Sequence, residues 1–439
     1  MSERIDALIH ARWTLDVEPD VRVEEGVAVA IDNGRITAIL PAAEASERFA
    51  PDVYHERPEH VLMPGLINAH CHAGMALFRG FADDLPLEQW LKGRIWPAEA
   101  RWINQEFVAD GTELAIAEML LGGTTCFSDM YYFPDIVAEV ALRTGMRAVV
   151  GMIALEFPTP WASSVDEYIS KGLEVHDRYA PDPLITTTFA PHAPYSVSDA
   201  TLKRIRQLAD ELEVPIHTHI HETAAEIAEA LARDDRRPLA RLDGLGLVSP
   251  ALVGVHATQL EPDEIALLGA SRASVVHCPR SNLKLASGAC PVAALLDAGV
   301  NVALGTDGAA SNNRLDMFAE MQTAALLAKL VANDATAVPA SAALQMATIN
   351  AARALNLESE IGSISLGKAA DLICVRLSDP GQLPVLNPIS QLVYSASREH
   401  VSDVWINGDH LVSGGDLVRM DVAAIQDSAL SWAARLLAE

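Results

Sequence analysis

The sequence has no run of about 20 uncharged apolar residues, the length that a helix needs to cross a bilayer. It therefore predicts no membrane-spanning segment, and its charged N-terminal residues lack the apolar stretch of a signal peptide. The five cysteines are scattered and form no C-x-x-C pair, a usage typical of reduced thiols. These absences favour a soluble protein in the cytoplasm.

Basic residues are also scarce. The chain has 32 lysines and arginines against 59 acidic residues, a formal net charge of -27. Such a field repels polyanions, and no Lys/Arg block offers a local exception. The balance argues against nucleic acid and membrane surfaces as partners and favours a small neutral substrate.

The pattern of strands and helices divides the chain into two ends and a different middle. Residues 1–62 have short strands with an Asn-Gly turn, and residues 361–439 repeat that texture before a terminal helix. Residues 63–360 alternate eight apolar strands with helices, as in a closed (β/α)8 TIM barrel. We therefore predict an α/β protein with a barrel domain and a small β-sandwich domain built from both chain ends. The longest gap between barrel strands, about 71 to 123, should lie over the barrel mouth.

Most of the predicted barrel strands end in histidine or aspartate. In TIM barrels, this end of the strands carries the active site. One terminal histidine is readily explained by packing, but six such strands of eight are not. The residues are His70 and His72, His192, the group His217, His219, His221 and Glu222, then His256, His277 and Asp307.

Spacing alone leaves the ligands of a metal site open. His70 and His72 share one face of an extended strand, but two ligands do not make a site. Along the fifth strand, His217, His219 and His221 alternate onto one face, so any of them could be a third ligand.

Glu222 follows the fifth strand at the point where a helix should begin. The pleat of the strand therefore does not fix the direction of its side chain. Glu222 can therefore be interpreted either as a catalytic carboxylate or as a carboxylate at the start of a helix.

The resemblance to a known family rests on five segments: "MPGLINAHCHAGMALFRGFADDLPLEQWL", "FAPHAPYSVS", "IHTHIHET", "HCPRSNLKLASG" and "LGTDGAASNN". Together they resemble the amidohydrolase superfamily, and more narrowly its 5-methylthioadenosine/S-adenosylhomocysteine deaminases. The resemblance covers nearly the whole chain, and it implies a barrel of the metal-dependent hydrolase type.

The resemblance implies a metal site and a proton-transferring residue. Its His-x-His element falls on His70 and His72, and its strand-eight aspartate is Asp307. Its His-x-x-Glu element selects His219 as the third ligand and makes Glu222 catalytic. Asp307 would bind the metal and also orient the attacking water and accept its proton.

Three further residues acquire roles by the same resemblance. His256 matches a histidine that stabilises the attacking oxygen. Glu99, in "IWPAEA", would bind the ribose, and His192, in "PHAPYS", would contact the purine. Glu222 and Asp307 would also contact the substrate.

The expected cofactor is one zinc ion per subunit. Binuclear relatives bridge two metals with a lysine on strand three or four, and those strands here contain no lysine. Iron and manganese accept similar ligands.

The predicted reaction converts 5'-methylthioadenosine to 5'-methylthioinosine and ammonia. The segment after strand three is apolar, with Phe157 and Trp161, and between residues 151 and 183 its only arginine is Arg178. S-adenosylhomocysteine and adenosine should therefore be poorer substrates. The alternative is hydrolysis of another N-heterocycle (guanine, 8-oxoguanine, a pterin or a triazine) at the same metal site. Relatives also imply a homo-oligomer, a dimer or larger.

Overall fold

The computed structural model describes residues 2–438 of the chain. Its strands are β1 Glu3–Asp16, β2 Arg22–Glu25, β3 Val27–Asp32, β4 Arg35–Pro41, β5 Phe49–Pro64, β6 Leu66–Cys71, β7 Thr124–Asp129, β8 Arg147–Ala154, β9 Ile185–Pro191, β10 Ile216–Ile220, β11 Leu252–His256, β12 Ser274–His277, β13 Asn301–Leu304, β14 Leu372–Arg376, β15 Val401–Ile406, β16 Asp409–Ser413 and β17 Asp416–Leu417.

Helices of varied length connect these strands. They are α1 Ala42–Arg48, α2 Leu87–Trp90, α3 Trp96–Trp102, α4 Gln105–Leu121, α5 Pro134–Thr144, α6 Val165–Tyr179, α7 Asp199–Leu212, α8 Ala224–Asp234, α9 Pro238–Gly244, α10 Pro262–Ser271, α11 Pro279–Lys284, α12 Val292–Asp297, α13 Ala309–Asn312, α14 Met317–Ala332, α15 Ala340–Met346, α16 Ile349–Ala354, α17 Pro388–Tyr394 and α18 Val422–Leu437. Two 3₁₀ segments, Ala73–Phe78 and Arg398–His400, and a π-helical turn, Leu91–Ile95, complete them.

The central part of the chain forms the predicted barrel. Strands β6 to β13 pair as parallel neighbours in chain order, in one eight-stranded sheet. The two edges meet beyond β13, where the Asp307 amide donates to the His70 carbonyl at 3.0 Å. Asn68 and Thr306 join the same edges through a side-chain hydrogen bond of 2.8 Å. The predicted fold class is confirmed.

Continuous apolar runs specify these strands, because both of their faces are covered. All residues of β8 are buried, as expected for a parallel strand that has side chains inside the barrel and helices outside. Polar caps define where several of the helices begin. Ser198, for example, accepts from the Thr201 amide at 3.3 Å at the start of α7.

The chain ends build a separate mixed sheet, called the terminal sheet below. Its order is β17-β16-β15-β14-β5-β1-β3-β4, with β2 beside β1, so the two chain ends meet where β14 pairs with β5. The predicted Asn-Gly hairpin is present: Asn33 and Gly34 have φ of 51° and 75°, the left-handed backbone that a two-residue turn requires. Arg147 of β8 and Asp371, both buried, join barrel and terminal sheet at 2.7 Å.

The insertion between β6 and β7 contains α2, α3 and the π-helical turn, and its side chains line the cavity at the barrel mouth. This placement agrees with the sequence-based expectation. β5 continues to Pro64, and the first barrel strand begins at Leu66. The division into residues 1–62, 63–360 and 361–439 stays a prediction.

Candidate metal centre and cavity

Three histidines and one aspartate converge at the carboxyl end of the barrel strands. His70 lies in β6, His72 directly follows that strand, His219 lies in β10 and Asp307 follows β13. The Nε2 atoms of His70 and His219 are 3.2 Å apart, and Asp307 Oδ1 is 3.2 Å from His72 Nε2 and 3.5 Å from His70 Nε2. Ligands about 2.0–2.1 Å from one ion in a tetrahedral arrangement lie roughly 3.3 Å apart, so this donor set fits a single metal such as zinc.

The opposite ring nitrogens fix which atom of each histidine is free for a metal. Nδ1 of His72 donates to the Met130 carbonyl at 2.6 Å, and Nδ1 of His219 donates to the His192 carbonyl at 2.7 Å. A carbonyl only accepts, so both Nδ1 atoms carry the hydrogen and both Nε2 lone pairs face the cluster. His70 Nδ1 lies 3.0 Å from His217 Nε2, which gives the third ring the same orientation.

The electrostatics of the cluster suit a cation. Burial lowers the pKa of His70 to about 4 and that of His219 well below its ordinary value, so both rings are neutral. Burial opposes ionisation of Asp307, but its contacts with the His70 and His72 rings outweigh that cost and hold the pKa of Asp307 well below its usual range. Burial opposes protonation of His72, but the adjacent Asp307 carboxylate outweighs it and raises the pKa of that ring. The cluster therefore offers three imidazoles and one carboxylate.

The second oxygen of Asp307 is held by two hydroxyls. Ser281 and Ser311 donate to Oδ2 at 2.6 and 2.8 Å, and the Gly308 amide donates to Oδ1 at 2.8 Å. These bonds fix the plane of the carboxylate so that Oδ1 faces His70 and His72.

Glu222 points into the cavity because its backbone is held on both sides. Its amide donates to Glu226 at 2.7 Å, its carbonyl accepts from the Thr258 hydroxyl at 2.7 Å, and the preceding His221 has φ of 50°. This left-handed turn at the end of β10 determines a direction that strand periodicity could not. Burial, with the charges of Asp307 and Glu226, raises the pKa of Glu222 well above its ordinary value.

His256 lies opposite Glu222, with Nε2 3.9 Å from the Glu222 carboxylate. The Asn282 amide donates to His256 Nδ1 at 3.0 Å, so Nε2 carries the ring hydrogen and can donate it into the cavity. Burial lowers the pKa of His256 to about 3, which keeps the ring neutral.

A cavity, about 710 Å³ when the open space at its mouth is included, extends from this cluster and is walled mainly by apolar side chains. Trp90 and Trp96 of the insertion line it, as does Leu155 after β8. Among the described residues that line the cavity, none is lysine or arginine.

Glu99 and His192 also line this cavity, as the resemblance implied. Glu99 is buried and accepts from the Tyr131 hydroxyl at 2.7 Å, and burial raises its pKa to about 7. His192 holds the His219 ring through its carbonyl, and its own Nδ1 lies 3.0 Å from Ser196 Oγ. Except for the fully buried His70, all of the proposed site residues therefore border one space.

The sequence led us to expect Phe157 and Trp161 at the apolar wall of the substrate site, but both side chains lie outside the cavity. Trp161 packs against Phe133, with ring centroids 5.4 Å apart, and Phe157 lies beside Trp96 at 6.0 Å. Neither lines the cavity, whereas Leu155 in the same segment does.

Sequence reasoning missed Asp129 and Tyr131. Asp129 ends β7 and accepts from the Ala73 amide at 2.6 Å, which fixes the turn after His72. Its position at a strand end was the same signal that marked Asp307. Nothing in the local sequence connects Tyr131 to Glu99, which is 32 residues earlier in the chain.

No helix among residues 2–438 combines the length and the apolar character that crossing a bilayer requires.

The sequence and the fold both have well-characterised relatives. The model of the amidohydrolase family matches residues 61–411. The 5-methylthioadenosine/S-adenosylhomocysteine deaminase of Teredinibacter turnerae is 51% identical over 98% of each chain, and that of Saccharophagus degradans is 49% identical over 99% of this chain and 97% of the relative.

Among solved structures, an adenosine deaminase from Xanthomonas campestris with bound zinc matches with a TM-score of 0.99 and 54% identity over the whole of both chains. A zinc-bound atrazine chlorohydrolase from Arthrobacter aurescens has a TM-score of 0.89 at 22% identity, covering 97% of this chain and 99% of its own, and shares the fold. The chain belongs to the amidohydrolase family, in the group of its 5-methylthioadenosine/S-adenosylhomocysteine deaminases.

Proposed function

We propose that this protein is a metal-dependent deaminase that converts 5'-methylthioadenosine and water to 5'-methylthioinosine and ammonia. S-adenosylhomocysteine and adenosine are poorer substrates. The observation that carries the proposal is one cavity bordered by the His/Asp cluster, by Glu222 and by Glu99. Relatives named for this activity, about half identical along nearly the whole chain, support it.

The cofactor in this proposal is one zinc ion, held by His70, His72, His219 and Asp307. The three imidazoles, the single carboxylate and the 3.2–3.5 Å separations support it, as does the bound zinc of the Xanthomonas relative. When bound, such an ion supplies a water molecule acidic enough to attack near neutral pH.

The protein groups move the protons. In this proposal a bond forms between the water oxygen and C6 of the purine, and the bond from C6 to the amino nitrogen breaks. Of the two water protons, one ends on N1 and the other leaves with ammonia. Glu222 protonates N1 and passes a proton to the departing amine, work for which a raised pKa is suited. Asp307 accepts a proton from the attacking water.

The remaining residues bind and orient. His256 donates Nε2–H to the attacking oxygen, as its Asn282 contact supports. His192 contacts the purine, and Glu99 accepts hydrogen bonds from the ribose hydroxyls. A carboxylate in this place suits a nucleoside and has no equivalent use for a free base.

The cavity wall supports a small 5' substituent. A methylthio group buries apolar surface there, which contributes roughly 0.8 kcal/mol per methylene-sized unit. The zwitterionic amino acid of S-adenosylhomocysteine would lose water without gaining a cation. Arg79 is engaged by Glu118 and by the Asn313 carbonyl, and the Arg178 guanidinium lies 5.4 Å from the Tyr179 ring centroid on α6.

Three wider features belong to the same proposal. The enzyme works in the cytoplasm, in keeping with five free, buried cysteines. It assembles as a dimer or a larger homo-oligomer. Its catalytic domain is residues 63–360, between the two parts of the small domain.

Ammonia release from 5'-methylthioadenosine, S-adenosylhomocysteine, adenosine and guanine by the zinc-loaded enzyme tests the proposal. We expect kcat/KM to be highest for 5'-methylthioadenosine. Equal values for the first two nucleosides, or a preference for S-adenosylhomocysteine, would contradict the argument from the cavity wall. Guanine as the best substrate would contradict the role of Glu99 and favour the hydrolysis of free bases.

A further inference from the structure

Tyr131 joins the carboxyl end of the barrel strands to the insertion between β6 and β7. It follows β7, next to Met130, whose carbonyl accepts from His72. Its hydroxyl donates to Glu99 Oε1 at 2.7 Å, and both side chains are buried. One buried hydrogen bond therefore connects two segments that are far apart in the sequence.

The Tyr131 ring is held in place independently of this hydrogen bond. It lies against Gly74, where an added Cβ would approach the ring to 2.8 Å. The Tyr132 ring packs beside it, with centroids 5.0 Å apart. The ring thus presents its hydroxyl from a fixed position, and removal of the oxygen alone should leave the packing in place.

Glu99 depends on Tyr131 for its orientation. Within residues 2–438, the Tyr131 hydroxyl is the one hydrogen-bond donor to the Glu99 carboxyl group, and no lysine or arginine lines the cavity beside it. The bond occupies Oε1 and leaves Oε2 to accept from a ligand. A carboxyl group with one oxygen fixed has fewer orientations in which the other oxygen can accept.

We propose that Tyr131 is a positioning residue that makes the cavity selective for a vicinal diol, by holding Glu99 Oε1 so that Oε2 faces the ribose. The proposal deepens the deaminase function above and rests on it. It places the selectivity for ribonucleosides in a pair of residues, where the family resemblance implied Glu99 alone.

The test measures kcat/KM for 5'-methylthioadenosine and for its 2',3'-dideoxy analogue. The ratio of the two values is compared between zinc-loaded Tyr131→Phe and the zinc-loaded unaltered enzyme. We expect the ratio to fall about tenfold, the loss of a hydrogen bond worth about 1.4 kcal/mol. The loss should appear in KM for the diol substrate, while values for the dideoxy analogue change little. Tyr179→Phe is the matched control, because it removes another buried tyrosine hydroxyl, bonded to the Asp135 carbonyl at 3.3 Å, outside the cavity.

A double-mutant cycle separates positioning from a direct effect of Tyr131. In a Glu99→Ala background, Tyr131→Phe should cause no further loss of the ratio, because the group that it positions is absent. An additive loss, an unchanged ratio in the single variant, or an equal loss for both substrates would each overturn the proposal. If the unaltered enzyme does not deaminate 5'-methylthioadenosine, the proposed function fails first. If it does so without preferring the diol, the inference alone fails.

Discussion

The carboxyl end of the barrel and the terminal sheet each gather histidines around one buried aspartate. In the barrel, Asp307 faces the Nε2 atoms of His70 and His72 within 3.5 Å. In the terminal sheet, Asp403 accepts from His410 Nε2 at 3.0 Å and from Nε and Nη2 of Arg57, each at 2.7 Å. The two clusters are alike in residue type and differ in the partner of the carboxylate.

That partner decides what each cluster can do. Arg57 carries a permanent charge and occupies both oxygens of Asp403, so this carboxylate is already neutralised by the protein. Asp307 receives hydroxyl and amide donors, and its cluster includes three convergent ring nitrogens. A group of histidines and an aspartate therefore indicates a metal site only where no arginine or lysine is built into it.

The largest expected effect is the loss of turnover in Glu222→Gln, because Glu222 moves protons in the proposed reaction. Glutamine keeps the size of the side chain but removes its transferable proton, so kcat should fall about 10²- to 10⁴-fold while zinc remains bound. Steady-state rates with metal content measured on the same samples check this. A loss smaller than about tenfold would remove Glu222 from the proton transfer.

A pair of histidine variants tests the comparison itself. His219→Ala should weaken zinc binding by more than about 100-fold, beyond the range typical of groups that merely support a ligand. His410→Ala, in the terminal sheet, should leave zinc affinity unchanged. Chelator competition followed by elemental analysis measures both, and zinc loss in the His410 variant would mean that the clusters are not distinct.

A smaller effect on zinc affinity is expected at His217, which contacts His70. Its Nε2 contacts His70 Nδ1 and its Nδ1 lies 3.2 Å from Ser128 Oγ, so in the proposed site it orients His70 and does not itself bind the metal. His217→Ala should reduce zinc affinity about 10- to 100-fold. His217→Gln, whose amide oxygen can accept from His70, should recover most of that loss. If His217→Ala strips zinc and His219→Ala does not, the choice of third ligand is wrong.

The fold was predictable because buried parallel strands leave a plain signal. Each is a short apolar run, and the chain alternates them with helices, so all eight barrel strands could be located. The Asn33–Gly34 turn was equally plain, since it needs two residues that tolerate positive φ. These features depend on residues that are close together in the sequence, so they can be predicted from one sequence.

The details of the site depend on contacts that local sequence does not contain. Strand periodicity placed His217 and His219 on one face. Their contacts distinguish them, because His217 lies against Nδ1 of His70 and His219 lies against its Nε2. The direction of Glu222 depends on the left-handed turn at His221 and on its hydrogen bond to Glu226. The pairing of Tyr131 with Glu99 joins an insertion to a strand end, and no spacing rule predicts it.

The terminal-sheet cluster should act on stability, and this effect is the smallest expected. Burial alone would raise the pKa of Asp403, but hydrogen bonds from Arg57, His410 and Ser402 outweigh it and hold the pKa well below its usual range. A carboxyl group with a lowered pKa in the folded state stabilises the fold above its unfolded pKa of about 3.9, and this contribution fades as pH falls further.

Asp403→Asn should therefore lower the free energy of unfolding at pH 7 by about 2 kcal/mol. This loss is smaller than that expected for a fully buried ion pair, because Arg57 is partly exposed. Urea midpoints at pH 7, 5 and 3 should show a similar difference from the unaltered protein at pH 7 and 5, and a smaller one at pH 3. Asp52→Asn, which breaks an exposed pair with Arg4, is the matched control and should change stability by less than about 1 kcal/mol at any pH. Zinc content should be unaltered in both variants. A pH-independent difference in Asp403→Asn would show that its carboxylate charge is not what stabilises the terminal sheet.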